Sequence, residues 1–192
     1  MQNNHKKSLK NKIYEAILSF QKISNISDEI MQSAKICINS INNNKKIIFC
    51  GNGGSAADSQ HLAAELIGKF LKKRKSLPAL ALTTNSSIIT SIGNDINFES
   101  IFSRQIEALG NKNDVLFAIT TSGRSKNVLN AIQVAKKQGL KIILLTSVNC
   151  KIKSSRNLFV IKAPATRVDR IQEMHITIGH LICEYIENNF KN

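Results

Sequence analysis

Lys45 to Leu66 reads KKIIFCGNGGSAADSQHLAAEL. An apolar run, Ile47 to Cys50, meets Gly51, Gly53 and Gly54, and a helical pattern carrying His61 and Glu65 follows. This order predicts a buried strand, a loop the size of a phosphate, and a helix. Glycines let backbone amides approach an anion at a helix N-terminus, where the dipole also favours negative charge. His61 and Glu65 stand four residues apart and so share one helix face.

Gly51 to Ala56 also satisfies the loose dinucleotide pattern G-x-G-x-x-A. That reading wants an acidic residue about 20 positions on, to hold a ribose. No Asp or Glu occurs between Glu65 and Asp95, which turns the argument away from a nicotinamide cofactor.

Working outward, Ile13, Ile17 and Phe20 recur at helical spacing, and a second helical pattern runs from about Asp28 to Ile41 with Ser27 placed to cap it. Two N-terminal helices, about 6–43, therefore precede the sheet. Downstream, Leu77 to Leu82 reads as a buried strand with Pro78 at its entrance. A mainly helical segment through Ile101 and Ile106 ends at Gly110, and Val115 to Ile119 forms the third strand. A helix follows to about Lys137 and stops at Gly139. Lys141 to Thr146 and Asn157 to Ile161 supply two more strands, and a long helix runs from Arg167 to about Glu187. Strands alternating with helices predict an α/β protein with a five-stranded parallel sheet covered on both faces.

Thr120, Thr121, Ser122 and Ser125 place four hydroxyls on the turn between the third strand and its helix. Ser and Thr are ordinary N-caps, but so many hydroxyls after a buried strand favour a phosphomonoester ligand.

At 192 residues and 42% hydrophobic content the chain predicts one globular domain, 1–192. The formal charge of +14 raises nucleic acid as a partner, yet only 5% of residues are aromatic and the cations are scattered, with one dense run at Lys72-Lys73-Arg74-Lys75. We expect no nucleic-acid partner. Cys37, Cys50, Cys150 and Cys183 lack CxxC spacing and read as buried thiols. Neither a signal-peptide core nor an apolar run near 18 residues is present, so a cytoplasmic protein without a membrane partner is expected.

CGNGGSAADSQHLAAEL, TTSGRS, GNDINFESIFSRQIEALG and RIQEMHITIGH, in that order and over nearly the whole chain, resemble the sugar isomerase (SIS) domain and its bacterial phosphoheptose isomerase family. The resemblance implies a three-layer αβα sandwich with flavodoxin-like strand order 2-1-3-4-5, a homotetramer, and isomerisation of sedoheptulose 7-phosphate to D-glycero-D-manno-heptose 7-phosphate for lipopolysaccharide or another surface glycan. It implies one Zn²⁺ per subunit, held by His61, Glu65, Gln172 and His180. Its substrate contacts fall on Asn52, Gly53, Gly54, Ser55, Glu65, Asn94, Asp95, Thr120, Thr121, Ser122, Ser125 and Gln172. Departures from the family pattern are Thr120 for the usual Ser, Arg124 for Asn, Lys69 for Arg, and Ser147 to Cys150 in place of glycines.

Aldose–ketose isomerisation needs one group to move a proton between carbons and another to serve the oxygens. Glu65 is expected to be the base at carbon and His180 the acid at oxygen. Asp169 is a further candidate contact, while His175 is read as structural. Two alternatives remain: a non-enzymatic SIS protein that binds a replication initiator, and an isomerase for another phosphosugar. In strand order 2-1-3-4-5 the helix after strand five starts three strand spacings, roughly 14 Å, from strand one. The expectation is therefore that a neighbouring subunit brings Gln172 and His180 to His61 and Glu65, with active sites at subunit interfaces.

Overall fold

The computed structural model describes residues 2–190; residues 1, 191 and 192, the ends of the expected 1–192 domain, lie outside the described residues. Helix α1 (Gln2–Gln21) leads through a 3-10 turn (Lys22–Ile26) into α2 (Ser27–Asn42). Strand β1 (Ile47–Gly51) and helix α3 (Gly54–Ile67) follow. Next come β2 (Ala79–Ala81), α4 (Ser86–Asp95), a 3-10 turn (Phe98–Ser100) and α5 (Ser103–Leu109). β3 (Val115–Ile119), α6 (Lys126–Lys137), β4 (Lys141–Ser147), β5 (Leu158–Ala163) and α7 (Val168–Asn189) complete the chain.

The five strands are parallel in the order β2-β1-β3-β4-β5, as expected. β1 and β3 are buried at every position because both faces of the sheet are covered. Alternate residues divide between two cores. Ile47, Phe49, Val115 and Phe117 pack with α2, α3 and α7 through Cys37, Leu62, Leu66, Met174 and Ile178. Ile48, Cys50, Leu116 and Ala118 pack with α5 and α6 through Ile106, Val128 and Ile132, with Ile89 and Ile92 of α4 against them. The four cysteines are buried and free. Among the described residues no helix is long and apolar enough to cross a membrane.

Three local expectations need correction. Ser27 does not cap α2: Ile26 holds the N-cap position and no side chain caps it. β2 is shorter than Leu77–Leu82, because the Leu77 N–H donates to Leu66 O and so closes α3 rather than extending the sheet. β5 runs to Ala163, beyond Ile161, through pairing of Thr146 with Lys162 and Ser147 with Ala163.

Candidate active site and metal centre

Helices α3 and α7 lie side by side on one face of the sheet and point the same way. At their heads the amide of Gln172 sits where a Cβ on Gly54 would be. Two turns along, a Cβ on Gly179 would stand 2.6 Å from Leu62 Cδ2, so only glycine admits that leucine and the helix axes come close. This close approach brings the next residue, His180, against α3.

There His180 Nε2 and His61 Nε2 are 2.8 Å apart, and His61 Nε2 is 3.2 Å from Glu65 Oε1. One ligand atom from each of the three residues falls within 4.8 Å of the others. The side chains of His61 and Glu65 are 47% and 20% exposed, so the cluster is open to a ligand. Burial, aided by His61, lowers the pKa of His180, while Glu65 opposes the shift. A neutral imidazole is thereby favoured, the form that both binds metal and accepts a proton.

Two imidazole nitrogens and one carboxylate oxygen are a donor set suited to a zinc-like ion with an open fourth position. Donors around a tetrahedral ion with bonds of about 2.0–2.1 Å stand roughly 3.3 Å apart, so the imidazoles need spread only by about half an ångström. One turn before His61, burial raises the Asp58 carboxyl to about 6, against the attraction of His61. Among the described residues Asp58 Oδ2 is buried without a hydrogen-bond partner.

This cluster lies within a single chain, which overturns the expectation that a neighbour must supply His180. The roughly 14 Å separation assumed that α7 starts over β5. Instead residues 164–167 carry the chain back across the sheet, so that α7 meets the head of α3 already at Gln172 and runs beside it to His180. Gln172 stays at the head of α3 and makes no hydrogen bond to His61, Glu65 or His180 among the described residues.

The hydroxyl loop is preorganised. Thr120 Oγ1 and Ser125 Oγ are 3.1 Å apart, and Arg124 N–H donates to Ser122 Oγ at 3.1 Å. Ser125 occupies the N-cap position of α6 without making a capping bond. Thr121, Ser122 and Arg124 line a cavity of about 480 Å³ that also exposes Ser147, Lys151 and Ile171, and its two cations suit an anionic group. The GNGGS loop is held beside it: Asn52 Nδ2 donates to Asn127 Oδ1 at 2.9 Å and Asn127 Nδ2 to Asn52 Oδ1 at 2.8 Å. Asn127 escaped the sequence reading, since an Asn in the first turn of a helix resembles any polar surface residue. Gly53 turns the chain at φ 55°, and Ser55 is 3% exposed.

Two expected substrate contacts fall elsewhere. Asn94 donates to Asp95 at 2.8 Å at the end of α4, whose apolar residues pack on the opposite face of the sheet from α3 and α7. Asp169 is exposed and engaged with Arg167 at 2.6 Å, which holds its carboxyl down at about 2. His175 is fully buried, with Nε2 3.1 Å from Thr146 O, as a structural histidine requires.

Residues 13–147 match the SIS domain family. A phosphoheptose isomerase of a Nitratiruptor species is 49% identical over 174 residues, covering 90% of this chain and 92% of that one. One from Akkermansia muciniphila is 42% identical over 179 residues, covering 93% and 95%. The structure of phosphoheptose isomerase from Neisseria gonorrhoeae superposes with a TM-score of 0.89 at 37% identity, over 96% of this chain and 99% of that one. That of a phosphoheptose isomerase from Francisella tularensis gives 0.91 at 33% identity, over 95% and 98%. The chain belongs to the SIS domain family and, within it, to the phosphoheptose isomerases.

Proposed function

We propose that the protein is an aldose–ketose isomerase that converts sedoheptulose 7-phosphate to D-glycero-D-manno-heptose 7-phosphate through an enediol. The observation that carries this reading is the His61, Glu65 and His180 cluster in a chain that also holds a hydroxyl-lined, cationic cavity. One feature set serves the carbonyl end of a phosphosugar and the other its phosphate.

In this reading Glu65 takes a proton from C1, and the electron pair left behind closes the C1–C2 double bond as charge passes to the C2 oxygen. His180, neutral at the start, takes the proton of the C1 hydroxyl and gives it to the C2 oxygen, the carbonyl forms at C1, and Glu65 returns its proton to C2. His61, Glu65 and His180 would hold Zn²⁺, and Gln172, whose amide has no hydrogen-bond partner among the described residues, would turn to it or to the substrate. Bound there, such an ion would supply Lewis-acid polarisation of the sugar oxygens. Thr120, Thr121, Ser122 and Ser125 would bind the phosphate, with Asn52, Gly53, Gly54 and Ser55 shaping the adjoining loop.

The assembly would be a homotetramer. Leu9, Ile13, Tyr14, Ile17 and Leu18 of α1 are 48–67% exposed, an apolar surface suited to burial between copies. Asn94 and Asp95, across the sheet from the cluster, would reach a substrate only from a neighbouring copy. The product would feed a cytoplasmic route to a surface glycan. The test is an isomerisation assay across C5 to C7 ketose phosphates, with and without a chelator. The reading expects the C7 substrate to turn over fastest, activity to fall on chelation and Zn²⁺ to restore it. Preference for a C5 or C6 substrate would overturn the substrate, and full activity in verified metal-free protein would overturn the metal.

A further inference from the structure

The loop after α3 is tied down by an ion pair that composition alone would place in solvent. Arg74 lies in the basic run, yet its side chain is 4% exposed and that of Glu187 is 2% exposed, with Arg74 Nε donating to Glu187 Oε1 at 3.0 Å. The Glu187 carboxylate also accepts three backbone N–H groups: Phe70 at 3.1 Å, Leu71 at 2.7 Å and Lys72 at 2.9 Å. Arg74 spends its other nitrogens on backbone carbonyls, Nη1 to Leu66 O at 2.8 Å and Nη2 to Glu65 O at 2.7 Å. A buried ion pair adds little net stability over a well-packed apolar pair, but it imposes one geometry on everything bonded to it.

Both arms of this pair end on the candidate active site. Arg74 fixes the main chain of Glu65. Glu187 holds the backbone of Phe70, whose ring centroid lies 5.4 Å from that of His180 with an interplanar angle of 31°. His61 meets the same imidazole from its edge, at 65°. The His180 ring is thus covered on one face by Phe70 while Nε2 points at His61.

We propose that Phe70 is a positioning residue for His180, locked against it by the Arg74–Glu187 pair, which at the same time fixes Glu65. The loop 68–76 then acts as a clamp joining α3 to α7, and the distance between Glu65 and His180 depends on it. Phe70 touches no reacting atom. Its function is to stop the imidazole turning away from the cluster when the ligand atoms separate. The catalytic side of this inference rests on the isomerase reading above; the geometric side does not.

A double-mutant cycle of Phe70→Leu and Glu187→Gln tests it, with two readouts. The first, in metal-free protein without substrate, is the NMR shift of the His180 ring protons, which the Phe70 ring current displaces. Phe70→Leu is expected to remove that displacement, and Glu187→Gln, with Phe70 still present, to move the same signals in the same direction. The second is steady-state kinetics on the metal-loaded protein. Each single variant is expected to lose about tenfold in kcat with KM nearly unchanged, and the double variant to be no worse than the weaker single. His180 shifts unmoved by Phe70→Leu, or losses that multiply in the double variant, would overturn the proposal. If Glu187→Gln fails to fold, Arg74→Lys takes its place in the cycle. Because the shift measurement needs no substrate, it fails or succeeds independently of which phosphosugar the protein isomerises.

Discussion

His61 and His180 are separated by 119 residues in sequence and meet Nε2 to Nε2 at 2.8 Å within one chain. Every copy of the protein therefore carries its own complete cluster. Glu65→Gln chains co-assembled with His180→Gln chains should stay inactive, since each cluster then contains one lesion. The check is the activity of mixed assemblies in which mass spectrometry finds both chains. Recovery of a substantial part of wild-type activity would mean that the working cluster forms between chains.

The hydroxyl loop should govern affinity more than chemistry. Ser122→Ala combined with Ser125→Ala removes the oxygen that accepts Arg124 N–H and the partner of Thr120 Oγ1. We expect KM for the phosphosugar to rise about tenfold or more with far less change in kcat, the pattern of lost uniform binding. Circular dichroism should be unchanged. An unaltered KM would place the phosphate elsewhere.

His175 should make the fold sensitive to acid. Its burial lowers the imidazole pKa from 6.5 to about 4, against the hydrogen bond at Thr146, and Nδ1 is buried without a partner among the described residues. Below pH 6.5 the unfolded chain takes up a proton that the folded chain refuses, so stability is lost as pH falls towards 4, by at most about 3 kcal/mol. Asp58 works in the opposite sense, because its raised carboxyl pKa lets the folded state take up a proton first. The useful quantity is therefore the difference in unfolding free energy between wild type and His175→Gln. It should shift against wild type as pH drops from 7 to 4, and a flat difference would contradict the assignment.

Sequence periodicity and turn chemistry located the strands and the loops that carry Gly53 and Ser122, since those signals are local, whereas the strand order came from the family resemblance. The course of α7 was illegible for a physical reason. A helix is anchored by the core it buries along its whole length, so the strand before it says little about where His180 ends up. Arg74 was hidden in a run of cations, because burial of a charge depends on a partner such as Glu187, 113 residues away. Asn127 was hidden likewise, since what distinguishes it is the amide pair it makes with Asn52, 75 residues away.

The central claim is that Glu65 moves a proton at carbon during ketose phosphate isomerisation. Glu65→Gln keeps the side chain's shape and removes its basicity. The decisive measurement is the rate of sedoheptulose 7-phosphate isomerisation by this variant, followed by NMR beside wild type in protein of verified fold. The account predicts a loss well beyond tenfold, more than about 1.4 kcal/mol of barrier. A variant within tenfold of wild type would contradict it.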